Sequence, residues 1–164
     1  MDFEEWYRAA HPRVLAALVA YCGDYSAASE ATDEAFVRAF SRWARVGAMA
    51  SPAGWTFVVA RNVLRRGIAR SARNLVAWSH QSSDGSPVAV DESARVEAAL
   101  EVSRALGLLT RRQRDVVVLY HGFDLTQDCV AELLGISRST VATTLLDARR
   151  ALGLRLEQKG ETCV

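Results

Sequence analysis

Apolar residues recur at three- and four-residue spacing through every long segment, and strand-like alternation is nearly absent, so the pattern predicts an all-α chain. Three helices are expected first: Phe3 to Tyr21, Tyr25 to Val46 and Pro52 to Arg73. In the second of these, Phe36, Phe40 and Trp43 follow one another at spacings of four and three with Val37 beside them, a stripe that predicts a core face. Ser51 and Pro52 open the third, because serine caps a helix and proline is tolerated at its first position. Trp55, Val58, Val59 and Asn62 then lie on one side.

The periodicity lapses over His80 to Val90, where HQSSDGSPVAV is rich in Ser, Gly and Pro. A flexible linker between two small helical modules is therefore expected, with the first module at 1–75, the linker at 76–93, the second module at 94–158 and a tail at 159–164. The second module reads as a helix from Glu92 to Leu109, a helix led by Thr110 to about His121, and two shorter helices. Leu125-Thr126 and Ile136-Ser137 start those two. Ser137 is suited to cap the last helix, with Ile136 packing on Val141 as a hydrophobic staple.

An apolar share of 50% and a charged share of 24% suffice for one or two small cores and exclude a disordered tail. No apolar run reaches the roughly 20 residues of a membrane span, and the start MDFEEWYRAAHP is acidic, so no membrane insertion and a cytoplasmic location are expected. Cys22, Cys129 and Cys163 are too scattered for a disulfide framework or a metal site; Cys22 and Cys129 are expected to pack as small hydrophobes. Neither a glycine-rich phosphate loop nor a nucleophile or ligand cluster around His11, His80 and His121 is found, so neither an enzyme nor a cofactor is expected. His11, before Pro12, reads as structural in a helix-start setting.

Net charge is only +1, but it is segregated. From Ala53 to Asn74 the chain carries Arg61, Arg65, Arg66, Arg70 and Arg73 and no acid, whereas Asp84, Asp91, Glu92 and Glu97 face only Arg95 between Asp84 and Glu97. The segment Gln127 to Leu146 fits a helix-turn-helix. Ala131 is small where two helices approach, Gly135 makes the turn, Val141 buries from the second helix, and Leu134 and Ile136 fill the corner. An ordinary helical corner has the same three-position pattern.

The run LGLLTRRQRDVVVLYHGFDLTQDCVAELLGISRSTVATTLLDARRAL, Leu106 to Leu152, resembles region four of the sigma-70 superfamily. FEEWYRAAHPRVLAALVAY, ASEATDEAFVRAFSRW and PAGWTFVVARNVLRRGIAR are similar in turn to region two. With no third domain between them, the resemblance is to the extracytoplasmic-function group. It implies a factor that binds core RNA polymerase and directs initiation at promoter DNA. A sigma-like helix-turn-helix regulator that no longer initiates is the alternative, motivated by a weakly basic recognition helix.

The resemblance also implies site residues. Glu30, Asp33, Glu34 and Arg38 would meet a coiled coil of polymerase, although the family usually has Asp and Gln where this chain has Glu30 and Asp33; acids early in a helix also favour its dipole. The loop from Val46 to Gly54 would capture a flipped base of the minus-ten element, supported by Trp55, Arg61, Asn62, Arg65, Arg66, Arg70 and Arg73. Trp55 as a core residue and the arginines as a solvated face are the competing readings. Arg138, Ser139, Thr140, Thr143, Arg149 and Arg150 would read the minus-thirty-five element. Ala142, Thr144 and Asp147 stand where relatives place basic residues, which implies a shallow salt dependence, with Asp147 repelling phosphate unless it meets a cytosine amino group. The acidic linker is either a plain tether or a phosphate mimic in a polymerase channel. An anti-sigma partner is expected by the same resemblance.

Overall fold

The structure, a computed structural model, describes residues 2–74 and 90–153, with the side chains of 71–74 and 90–92 outside the description. Most of the expected linker, including His80 and Asp84, lies outside the described residues. So do the tail with Cys163 and the side chains of Arg73, Asp91 and Glu92. Among the described residues every regular element is helical: α1 (Phe3–Cys22), α2 (Tyr25–Phe40), α3 (Trp43–Val46), α4 (Pro52–Asn74), α5 (Val90–Leu106), α6 (Arg111–Val117), α7 (Gln127–Leu134) and α8 (Arg138–Leu152). A π-helical turn, Val118–Gly122, extends α6.

Local chemistry sets most helix starts. The Asp24 carboxylate accepts from the Ala27 N–H at the head of α2, and Ser51 Oγ accepts from the Gly54 N–H at the head of α4. Thr110 and Gln113 form a reciprocal capping box at α6. Thr126 caps α7 and Ser137 caps α8, as their sequence positions predict. Gly135 ends α7 at φ +64°, a left-handed conformation that glycine adopts without a Cβ clash, and the Ile136 N–H then donates to the Ala131 carbonyl at 3.0 Å. Pro12 lies inside α1 rather than at a helix start, so the expected setting of His11 is corrected: the residue sits mid-helix, with its ring against Tyr7 and Phe36.

The single helix expected from Tyr25 to Val46 is broken at Ser41 and Arg42. The Ser41 hydroxyl donates to the Arg38 carbonyl, and Arg42 leaves helical geometry at φ −127°. The break turns Trp43 back onto Phe3 and Trp6, with ring centroids 5.2 and 4.7 Å away. Phe36 stays buried, but Val37 and Phe40 are each 65% exposed, and Phe40 meets only Phe3 among the described rings, so of the expected core stripe Phe36 and Trp43 pack inward and Val37 and Phe40 do not.

The two halves of the chain share one hydrophobic core. It runs without interruption from Trp6, Leu15, Leu18 and Phe57 in α1 and α4 to Leu119, Val130, Val141 and Leu145 in the second half. Helix α5 packs along α1, burying Ala99 and Leu106, and the Phe57 and Phe123 rings meet at 5.3 Å. The two modules expected on a tether are thus packed together. Cys22 and Cys129 are half-buried and unbridged, and burial raises the pKa of the Cys22 thiol.

Candidate nucleic-acid interface

The exposed face of α2 carries Glu30, Asp33 and Glu34 toward its start and Val37 and Phe40 toward its end. Helical spacing of three and four residues aligns all five on one side, while Ala28, Ala31, Ala35 and Ala39 form the buried side. Asp33 lies 3.2 Å from His11 Nε2, and Glu34 pairs with Arg38 at 2.8 Å one turn on. Such exposed pairs contribute little to stability and leave the surface available for other charges.

On α4 the five expected arginines separate into different environments. Arg66 and Arg70 point to solvent, whereas Arg61 is buried and Arg65 half-buried. Both of the latter turn to Asp115 on α6. Arg65 Nη2 donates to Asp115 Oδ1 at 2.8 Å and Oδ2 at 2.9 Å, and also to the Tyr21 hydroxyl. Arg61 Nη1 stands 3.0 Å from Asp115 Oδ2 without the alignment of a hydrogen bond, while its Nη2 donates to Asn62 Oδ1. The Arg61 and Asp115 side chains are 8% and 11% exposed, so this is a buried charge cluster.

Burial drives the pKa of Arg61 down against the opposing pull of Asp115. At Arg65 burial acts the same way, but the hydrogen bonds and charge of Asp115 together with Tyr21 outweigh it and the pKa rises. Tyr21 is raised by burial first and by the Asp115 charge second. Its ring lies between two guanidinium groups, Arg65 at 5.7 Å and Arg114 at 5.3 Å. Arg114 further ties the halves together by donating to the carbonyls of Tyr21, Leu106 and Leu109.

In the loop from Val46 to Gly54 the two ends are buried, whereas Gly47, Ala48 and Ala50 are exposed. A Cβ at Gly54 would come within 3.0 Å of Leu125 and Leu133 methyl groups, so glycine permits the close approach of the helix-turn-helix to the head of α4. Trp55, beside it, is half-buried and packs against the core, and Asn62 is half-buried as well. Sequence reading missed Asp115, Tyr21, Arg114 and Arg13, the last of which donates to the Gly122 carbonyl at 3.0 Å. The available signal was Asp115 itself, a lone acid heading the apolar run VVVLY.

In the helix-turn-helix, α7 and α8 are bent 106° apart, with Ala131 and Val141 buried in the corner. Ser139, Ala142, Thr143, Leu146, Asp147 and Arg150 make up one exposed stripe of α8. Arg138 lies 3.8 Å from Asp128 and Arg150 lies 3.7 Å from Asp147. The Thr140 hydroxyl is 2.7 Å from Ser137 Oγ, and that of Thr143 donates to the Ser139 carbonyl. Arg149 turns inward, its Nε buried without an acceptor.

Comparison with known proteins matches residues 6–74 to sigma-70 region 2 and residues 99–152 to sigma-70, region 4. The ECF RNA polymerase sigma factor SigL of Mycobacterium tuberculosis is 36% identical over 148 residues, covering 85% of this chain and 80% of SigL. The chain belongs to the sigma-70 superfamily, in its extracytoplasmic-function group. This sigma factor binds core RNA polymerase and directs promoter-specific transcription, and nothing favours a regulator that has lost initiation. The probable RNA polymerase sigma factor RfaY of Xanthomonas campestris is 30% identical over 91% of the chain and 39% of its own length. In fold, the sigma factor resembles RpoE of Bartonella quintana, solved in complex with the anti-sigma factor NepR, with a TM-score of 0.70 over 92% of this chain and 94% of that one at 16% identity. SigJ of M. tuberculosis gives 0.60 over 92% and 54%, at 21% identity. No single helix among the described residues is long and apolar enough to cross a membrane.

Proposed function

We propose that this sigma factor divides its work between residues 1–75 and 94–158, joined by a tether at 76–93, and acts in the cytoplasm without catalysis of its own. The exposed face of α2, with Glu30, Asp33, Glu34 and Arg38, docks on a basic surface of core polymerase. The acid-to-apolar gradient from Glu30 to Phe40 supports this reading, because it pairs a charged patch for steering with exposed apolar area for binding. The loop from Val46 to Gly54, with Trp55, Arg61, Asn62, Arg65, Arg66, Arg70 and Arg73, holds the melted minus-ten strand. Arg138, Ser139, Thr140, Thr143, Arg149 and Arg150 serve the minus-thirty-five element, with Arg149 acting through the packing of α8. An anti-sigma factor is the expected regulator.

The observation that carries the reading is the order of the two family matches on either side of the linker. Gel filtration with core polymerase tests it: the wild-type chain co-elutes, and Glu30→Arg with Glu34→Arg releases it while the helical content stays unchanged. Co-elution of that charge-reversed variant at wild-type affinity would remove α2 from the interface.

A further inference from the structure

The stripe of α8 assigned above to the upstream element is short of the side chains that read bases by paired hydrogen bonds. Arginine and lysine take guanine in this way, and asparagine and glutamine take adenine. None of these four types stands among residues 139–147, and α8 contains no Lys, Asn or Gln. Its arginines lie at the ends. The Arg138 and Arg150 side chains are 51% and 73% exposed, each loosely paired with an acid at 3.8 and 3.7 Å, and Arg149 turns inward. With a rise of about 1.5 Å per residue, the two exposed arginines stand roughly 18 Å apart along the helix. That exceeds the width of a major groove, about 12 Å, so the pair suits the flanking phosphates and leaves the middle of the helix to meet the bases.

What the middle offers is apolar. Ser139, Ala142, Thr143 and Leu146 share the exposed side, and Leu146 is 47% exposed while its neighbour Leu145 is buried. Leu146 is not among the residues packed on the core. The Thr143 hydroxyl donates its one proton to the Ser139 carbonyl at 3.0 Å, and Ser139 Oγ lies 2.9 Å from Ser137 Oγ. Both hydroxyls are thus engaged within the first turns of the helix, and the Ala142 and Thr143 methyls and the Leu146 isobutyl group are left for a ligand. On the major-groove edge of B-DNA the apolar group is the thymine C5 methyl. Ala142 and Leu146 are one turn apart, about 6 Å, against a base step of roughly 3.4 Å, so the patch covers about two base steps.

We propose that α8 reads the upstream element through thymine methyl groups, which Ala142, Thr143 and Leu146 cover, rather than through arginine–guanine pairs. The inference rests on the assignment of α8 to the minus-thirty-five element. It makes Ala142 and Leu146 specificity residues and leaves Arg138 and Arg150 to grip phosphate. Taking one methyl group out of water is worth about fourfold in affinity.

The test uses the full chain bound to core polymerase. This holoenzyme selects from a duplex library randomised upstream of the start site, and the more distant selected element is then made with deoxyuridine in place of every thymidine, which deletes the methyl and keeps the pairing. Filter binding compares the two duplexes for wild type, Leu146→Ala and Thr143→Ser, the last of which keeps the hydroxyl and loses only the methyl. Circular dichroism checks that the helices remain. The selected element is expected to carry two thymines within three adjacent base pairs, and deoxyuridine is expected to weaken the wild-type complex on the order of tenfold. Each variant is expected to bind the thymidine duplex at least about fourfold more weakly and to lose part of its response to deoxyuridine.

A deoxyuridine duplex bound as tightly as the thymidine one would overturn the methyl reading. So would a deoxyuridine loss that is undiminished in both variants, because the methyl would then act through the shape of the DNA. Failure of the underlying assignment looks different. Ser139→Arg leaves the selected distant element unchanged if α8 is not on the bases, which overturns both readings, and shifts that element if it is.

Discussion

Arginines meet acids on both α4 and α8, yet the two settings differ in how much water reaches them. On α8 the Arg150 and Asp147 side chains are 73% and 49% exposed and 3.7 Å apart, so solvent screens the pair and each charge remains usable. On α4, Arg61 and Asp115 lie almost out of reach of water, and each depends on the other to justify its charge. The same residue types form an adaptable surface in one place and a fixed joint in the other. Burial, not composition, makes the difference.

Removing Asp115 breaks that comparison most severely. Asp115→Ala leaves Arg61 buried without its counter-ion and is expected to destabilise the fold by roughly 3–5 kcal/mol. The check is the urea midpoint against wild type. Replacing the whole cluster with apolar side chains, Arg61→Met, Arg65→Met and Asp115→Leu together, is expected to recover most of the loss, because no uncompensated charge remains. A triple variant as unstable as Asp115→Ala would contradict the electrostatic account of the joint.

Smaller effects belong to α8. Ser137→Ala deletes the hydroxyl that accepts from the Thr140 N–H at 3.1 Å and should lower thermal stability by about 1 kcal/mol. Asp147→Asn should change stability by less than about 1 kcal/mol, since its pair is exposed. It should nevertheless tighten binding to duplex DNA and steepen its salt dependence, because Arg150 no longer shares its charge with a neighbouring acid. Titrations at two salt concentrations read both quantities.

What the sequence revealed follows the same division between local and distant. Thr110, Thr126 and Ser137 announce helix starts because a cap and its partner lie within three residues, and all three caps form where the spacing puts them. The corner of Ala131, Gly135 and Val141 is legible for the same reason. The break before Trp43 is not, because the contact it serves, that ring on Phe3 and Trp6, is with residues some forty positions earlier in the chain. Arg61 and Arg66 look alike in sequence. Only the packing of α6 on the first half makes one buried and leaves the other in water, and Asp115 is 50 residues from Arg65. The exposed face of α2 was readable as charge, but Val37 and Phe40, expected in the core, stand on that face as well.

Initiation itself tests the central claim most directly. Core polymerase is incubated with supercoiled genomic DNA, with and without this sigma factor, and the RNA 5′ ends are sequenced. The account predicts new start sites that share two upstream elements at a fixed spacing. Start sites identical to those of core polymerase alone would contradict it.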